Sequence, residues 1–268
     1  MKFTKMQGLG NDYLYVFAPC VPDDVKQLSI KLSNRHFGAG SDGMIWILPS
    51  GTADFKMRIF NADGSEAAMC GNGIRCVGKY LYDKGYTDKR ELKIETLSGV
   101  KTLLLNLSGG KVKTVTVDMG KVAVSKENEL QINGTVYRYY PVNAGNPHAV
   151  IFTDNAETAL LSNVGSAFEK SPVFTDGVNT EFVSLTGKNT LRMRVWERGS
   201  GITLACGTGA CAAAAAAVKN GLCESNADIS VLLDGGTLNV KILSCGTALM
   251  TGEACFVYEG DTDIYESQ

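Results

Sequence analysis

The period of apolar and polar positions changes several times along the chain, and those changes mark out its elements. Residues 2–7 and 12–17 predict two strands joined by a turn at Gly8-Leu9-Gly10-Asn11. Taken by itself, Asn11 reads as a turn residue that accepts a left-handed backbone. Apolar positions 25, 28, 30 and 32 predict a helix over 25–35, and the glycine-rich run from Gly38 to Gly43 leads into a strand at Met44–Leu48. That run precedes a strand and lacks Gly-Lys-Ser/Thr, so it makes a poor phosphate loop. Phe55, Met57 and Ile59 alternate with Lys56 and Arg58, the pattern of a half-buried strand. Ile74, Val77, Tyr80 and Leu81 then predict a helix closed by Gly85, and three strands are expected between 91 and 117.

The second half follows the same plan. Strands are expected over 112–118, 121–124 and 135–143, followed by a turn at Gly145-Asn146-Pro147-His148 and a strand from Ala149 to Thr153. One helix is predicted from Ala156 to Phe168, and strands from Val178 and over Thr190–Glu197. A helix opened by Cys206 is almost pure alanine from Ala210 to Val218, and four strands follow it. Alanine has the highest helix propensity, and a helix apolar on every side belongs inside a domain, wrapped by strands.

Two stretches in these halves look like copies. Met57-Arg58-Ile59-Phe60-Asn61 runs on to Cys70-Gly71-Asn72-Gly73, and Met193-Arg194-Val195-Trp196-Glu197 runs on to Cys206-Gly207-Thr208-Gly209. In each, the Met precedes the Cys by thirteen positions, and the cysteines lie 136 apart (206 minus 70). Gly10-Asn11 and Gly145-Asn146 recur at nearly the same offset. Internal duplication divides the chain into two domains: residues 1–117, completed by 253–268, and residues 118–252. No linker separates them, so a broad contact between them is expected.

Composition narrows the chemistry. With 268 residues, 44% of them hydrophobic, the chain can bury a sizeable core. A net charge of −2 leaves no electrostatic case for nucleic acid. The N-terminus has no signal-like apolar run, and Ala210–Val218 is far below the ~20 residues that span a bilayer. A soluble cytoplasmic protein with no membrane partner is expected. There are eight cysteines but no Cys-x-x-Cys, and the two histidines, His36 and His148, lie at no ligand spacing. Free thiols are therefore expected, with neither a disulfide framework nor a metal.

A cysteine at a helix N-terminus meets unpaired backbone N–H groups and the positive end of the helix dipole. Both favour thiolate and predict a lowered thiol pKa. A lone cysteine there is more often a small core residue. Two in matching Cys-Gly-x-Gly settings point instead to a thiolate/thiol pair that removes a proton from one face of a carbon acid and returns one to the other. Such a pair would face each other across a domain cleft. Cys76 and Cys211 lie inside the helices and read as core.

The run from Asn61 to Cys76 closely resembles the first cysteine motif of the diaminopimelate epimerases. Trp196-Glu197-Arg198-Gly199-Ser200-Gly201, with Ala205-Cys206-Gly207-Thr208-Gly209-Ala210, resembles the second. Gly145-Asn146-Pro147-His148 and Gly10-Asn11-Asp12 resemble two further signatures of that family. The resemblance implies an α+β fold of two pseudo-symmetric domains, each a curved, barrel-like mixed or antiparallel sheet around a central helix. It also implies a cofactor-independent isomerase that interconverts LL- and meso-diaminopimelate, a step of lysine and cell-wall precursor synthesis.

By the same resemblance Cys70 and Cys206 are the acid/base pair, and His148 and Glu197 assist at the reacting centre. Asn11, Asn61, Asn146, Asn179, Glu197 and Arg198 bind the amino acid substrate, together with Gly71-Asn72 and Gly207-Thr208 at the helix starts. The family is generally dimeric, and Tyr258 resembles its interface tyrosine, within a segment where Cys255 and Phe256 depart from the usual pattern. Gly43 stands where some members carry glutamine, which predicts a distal hydrogen bond absent or replaced by water. The competing reading on the same scaffold is a racemase of another amino acid, against which Asn72 and Trp196-Glu197-Arg198 argue. A thiol redox or zinc protein lacks the motifs it needs, and a catalytically dead homologue fits poorly with two intact cysteine motifs.

Overall fold

The computed structural model describes residues 1–263. The chain forms two compact units: Met1–Val117 with the segment that starts at Gly252, and Asp118–Thr251.

The first unit contains β1 (Lys2–Gly8), β2 (Asn11–Phe17), α1 (Val25–Ser33), β3 (Gly43–Leu48), β4 (Phe55–Asn61), β5 (Glu66–Ala67), α2 (Gly71–Asp83), β6 (Glu91–Thr96) and β7 (Gly99–Ser108). The chain leaves it along β8 (Lys111–Lys121). The second unit contains β9 (Ala123–Val124), β10 (Asn128–Ile132), β11 (Thr135–Asn143), β12 (Pro147–Phe152), α3 (Ser166–Glu169), β13 (Asn179–Gly187), β14 (Thr190–Glu197), β15 (Gly201–Ile202), α4 (Gly207–Lys219), β16 (Asp228–Leu233) and β17 (Gly236–Ile242). The chain returns through β18 (Thr247–Glu253) to β19 (Cys255–Asp261).

The pairing pattern carries the duplication. β2 pairs parallel with β3, β3 antiparallel with β4, β4 parallel with β6, and β6 antiparallel with β7. β12, β13, β14, β16 and β17 repeat that sequence of parallel and antiparallel pairs. The helices match as well: α2 and α4 are thirteen residues each and begin 136 positions apart. A mixed, curved sheet around one central helix in each unit is therefore the architecture.

Packing explains the two different helix compositions. α2 buries Ile74, Val77 and Leu81 completely, each contributing about 2 kcal/mol of transfer free energy. Gly78 lets β7 come close, since a Cβ there would lie 2.9 Å from Leu105 Cδ2. α4 touches β9, β11, β12, β13, β14, β16 and β17. Strands on so many sides leave room only for methyl groups, and every residue from Gly209 to Ala217 is buried.

Two expectations change. In the first turn, Leu9 (φ 57°) and Gly10 (φ 85°) take the left-handed backbone. Asn11 is instead the first residue of β2, with its side chain available for other work. The single helix predicted over 156–168 is broken into a 3-10 turn at Ala156–Thr158, a π turn at Leu161–Gly165 and the short α3. Ala159 is extended (ψ 134°), and Gly165 lies so close to Trp196 that a Cβ would sit 2.4 Å from the Trp196 Cβ. The segment passes close against Trp196 at Gly165, where no side chain would fit. The short strands β5, β10 and β15 were not predicted, being too short or too polar for a period to register.

Candidate active site

Cys70 and Cys206 hold equivalent posts, each the N-cap of its helix in extended backbone. Each sulfur accepts a hydrogen bond from the N–H three residues on, Gly73 and Gly209, both at 3.3 Å. These are orphan donors of the first helical turn. Glycine leaves room at both positions: a Cβ on Gly73 would lie 2.6 Å from Ile45 Cδ1, and one on Gly209 2.7 Å from Glu181 Oε1, so either side chain would have to move.

Around Cys70, the thiol donates to Asn11 Oδ1 at 3.2 Å, and Asn11 Nδ2 donates to Asp42 Oδ2 at 2.8 Å. Asp42 also accepts the Asp12 N–H at 3.0 Å and the Arg35 guanidinium at 2.9 Å, so the Asn11 amide is held in one orientation. Tyr13 is buried beside them, near enough to Asn11 and Cys70 for both to act on its hydroxyl. Burial first, then the charges of Cys70 and Asp42, push its hydroxyl well up, so it stays a neutral O–H. Gly71 and Asn72 open α2, with Asn72 buried. Asn61 ends β4 and donates to Ser65 Oγ at 3.0 Å.

Gly43 is more than a missing side chain. A Cβ there would lie 2.2 Å from the Phe60 carbonyl oxygen and 2.9 Å from both Asn61 Cα and Tyr13 Cε1. The backbone before Asn61 and the Tyr13 ring fill the space a Cβ would need.

In the second unit Glu197, at the end of β14, accepts a hydrogen bond from the Thr203 hydroxyl and lies near enough to the Cys206 thiol for each to act on the other's charge. Burial raises its carboxyl pKa in spite of these polar neighbours. Thr208 Oγ1 lies 3.5 Å from the Cys206 sulfur, and Gly207 begins α4. His148 is fully enclosed, with Nδ1 2.6 Å from Glu181 Oε1 and Nε2 2.9 Å from Asn146 Oδ1. Asn179 Oδ1 accepts the Arg198 N–H at 2.8 Å. The Arg198 guanidinium donates outward to the Asp176 carbonyl at 2.6 Å.

The expected lowering of the thiol pKa fails at Cys206. Only 4% exposed, its thiol is pushed well up, by burial first and then by the carboxylates of Glu197 and Glu181. The hydrogen bonds from Thr208 and Gly209 act the other way and are outweighed. Cys206 therefore rests as a thiol at neutral pH. Its alkylation by iodoacetamide should be slow at pH 7 and climb only above about pH 9, the region of an ordinary thiol. Mass-spectrometric rates for the Cys206 peptide across pH check this; fast labelling at pH 7 would contradict it. Cys76, fully buried with its thiol raised to about 11 by burial, keeps its core reading.

Sequence reasoning missed Glu181, Tyr13 and Thr203. Glu181 lies in Asn179-Thr180-Glu181-Phe182-Val183-Ser184, where the structure buries every residue, a burial that the polar residues of the run do not announce. Tyr258 lies on β19, where its hydroxyl donates to the Ala39 carbonyl at 3.0 Å and its ring lies under the Lys5 ammonium. Among the described residues no helix is long and apolar enough to cross a membrane.

Comparison with known proteins follows the same lines. The sequence model described as diaminopimelate epimerase matches residues 3–125 and 140–257. Curated proteins named diaminopimelate epimerase match over nearly the full length of both chains. That of Acetivibrio thermocellus is 46% identical, covering 99% of this chain and 100% of its own. That of Bacteroides thetaiotaomicron is 49% identical, with 98% of each covered. Among solved structures, a PhzF-family phenazine biosynthesis protein of Bacillus anthracis superposes with a TM-score of 0.78 at 15% identity, covering 98% of this chain and 99% of its own. A probable proline racemase of Agrobacterium radiobacter reaches 0.74 at 15% identity, with 98% and 93% covered. Those two share the fold; the sequence relatives and the family model go further, and by them the chain belongs to the diaminopimelate epimerase family of isomerases.

Proposed function

We propose that this chain interconverts LL- and meso-diaminopimelate without a cofactor, with Cys70 and Cys206 as its two bases. The observation that carries the reading is the matched pair of helix N-caps, each presenting a sulfur to a first-turn N–H at 3.3 Å. One cysteine, as thiolate, takes the α-hydrogen as a proton, and the C–H electron pair spreads into the adjoining carboxylate. The other cysteine, as thiol, gives its proton to the opposite face of that carbon. The configuration inverts, and thiol and thiolate have exchanged places.

An α-hydrogen is a weak acid, so the developing negative charge needs donors aimed at it. The remaining first-turn N–H groups at Gly71-Asn72 and Gly207-Thr208 suit the reacting carboxylate. Asn11, Asn61, Asn146, Asn179, Glu197 and Arg198 suit the ammonium and carboxylate groups of the amino acid. The raised Cys206 thiol supports an acid role for it in the resting enzyme, with Glu197, whose charge bears on that thiol, and His148 beside Asn146 as assisting groups. The need for working thiols supports a reducing compartment, the cytoplasm. A homodimer through β19 is supported by Phe256, Val257 and Tyr258, exposed in a row.

Reduced protein incubated with LL-diaminopimelate in heavy water, without pyridoxal phosphate, should yield meso product carrying α-deuterium. Exchange with another amino acid but not with this one would move the enzyme to a racemase of that amino acid. No exchange with either would end the catalytic reading.

A further inference from the structure

The reaction outlined above leaves one buried group unused. Glu181 sits on β13, where neither it nor His148 exposes any side-chain surface. Its Oε1 is the atom 2.6 Å from His148 Nδ1. The same oxygen borders the first turn of α4 at Gly209, whose N–H donates to the Cys206 sulfur. Its Oε2 meets no hydrogen-bond donor among the described residues. A carboxyl group so enclosed and half-satisfied costs stability, and an apolar residue would fill the place more cheaply. What Glu181 provides in return is the clamp on one histidine ring.

That ring is gripped at both nitrogens. Glu181 comes from β13 and Asn146 from the turn before β12, where Gly145 takes φ 97°. Carboxylate is the better acceptor, so the first ring proton belongs on Nδ1. Nε2 donates to Asn146 Oδ1 when the ring is cationic. When the ring is neutral, Nε2 accepts from the Asn146 amide after that amide turns over.

We propose that Glu181 is a positioning residue, which accepts the Nδ1 proton of His148 and thereby fixes the tautomer and plane of the ring that presents Nε2 beside Asn146. The catalytic consequence rests on the epimerase reading above; the tautomer does not.

The chain has two histidines, and the exposed His36 serves as an internal reference. Ring nitrogen-15 NMR near pH 8 should place the His148 proton on Nδ1 in the wild-type protein. Glu181→Leu should move it to Nε2 and lower kcat about tenfold to a hundredfold with KM within about twofold, the loss typical of an orienting partner. Glu181→Gln, which keeps an acceptor oxygen in place, should retain the Nδ1 tautomer and most of kcat. It decides the matter if the leucine variant does not fold. An Nε2 proton in the wild type overturns the proposal. So does a tautomer change in Glu181→Leu with kcat unaltered, or a Gln variant that keeps the tautomer yet loses kcat as badly as Leu. Absence of epimerisation in the wild type would defeat the function and leave the NMR result to be read on its own.

Discussion

Cys70→Ala and Cys206→Ala should each lower epimerisation of LL-diaminopimelate by about a thousandfold or more. Removing a general acid or base forfeits a factor of roughly a hundred to ten thousand, and here either deletion leaves one face of the carbon with no proton carrier. The two variants should still differ. Each retains one sulfur, which can exchange the α-hydrogen of the single configuration it faces without inverting it. One variant should therefore take deuterium into the LL isomer and the other into the meso isomer, which assigns each cysteine to its face. Loss of the N-cap sulfur should cost only about 1 kcal/mol of stability, so a normal thermal melt separates lost chemistry from lost fold. Two variants that epimerise within tenfold of wild type would sink the two-base mechanism.

The largest expected loss of stability lies in α4. Ala214 is fully buried in a helix that strands enclose on many sides. Ala214→Leu would force three extra carbons into that space and displace strands, at a cost of about 3 kcal/mol. The melting temperature should fall by roughly 6–12 °C. Lys31→Leu on the exposed face of α1 is the control and should melt within a degree or two of wild type. If Ala214→Leu melts like the control, α4 is not packed as tightly as the structure has it.

The sequence alone determined the parts that depend on local pattern. Strand and helix periods, the 136-residue repeat and the alanine composition of α4 are properties of neighbouring residues. So are the helix-cap positions of Cys70 and Cys206, since Cys-Gly-x-Gly ahead of an apolar period is itself the helix start. What tertiary structure decided depends on groups distant along the chain. Glu181 acquires its meaning from His148, 33 residues away, and Asn11 from Cys70, 59 residues away. Gly43 is excluded from carrying a side chain by β4 and Tyr13, which the local sequence cannot show. The Cys206 thiol is the sharpest case. Its helix position, legible in sequence, argues for thiolate. Burial and two carboxylates, present only once the chain has folded, hold the proton on, because a low-dielectric interior penalises a charge more than two hydrogen bonds relieve it.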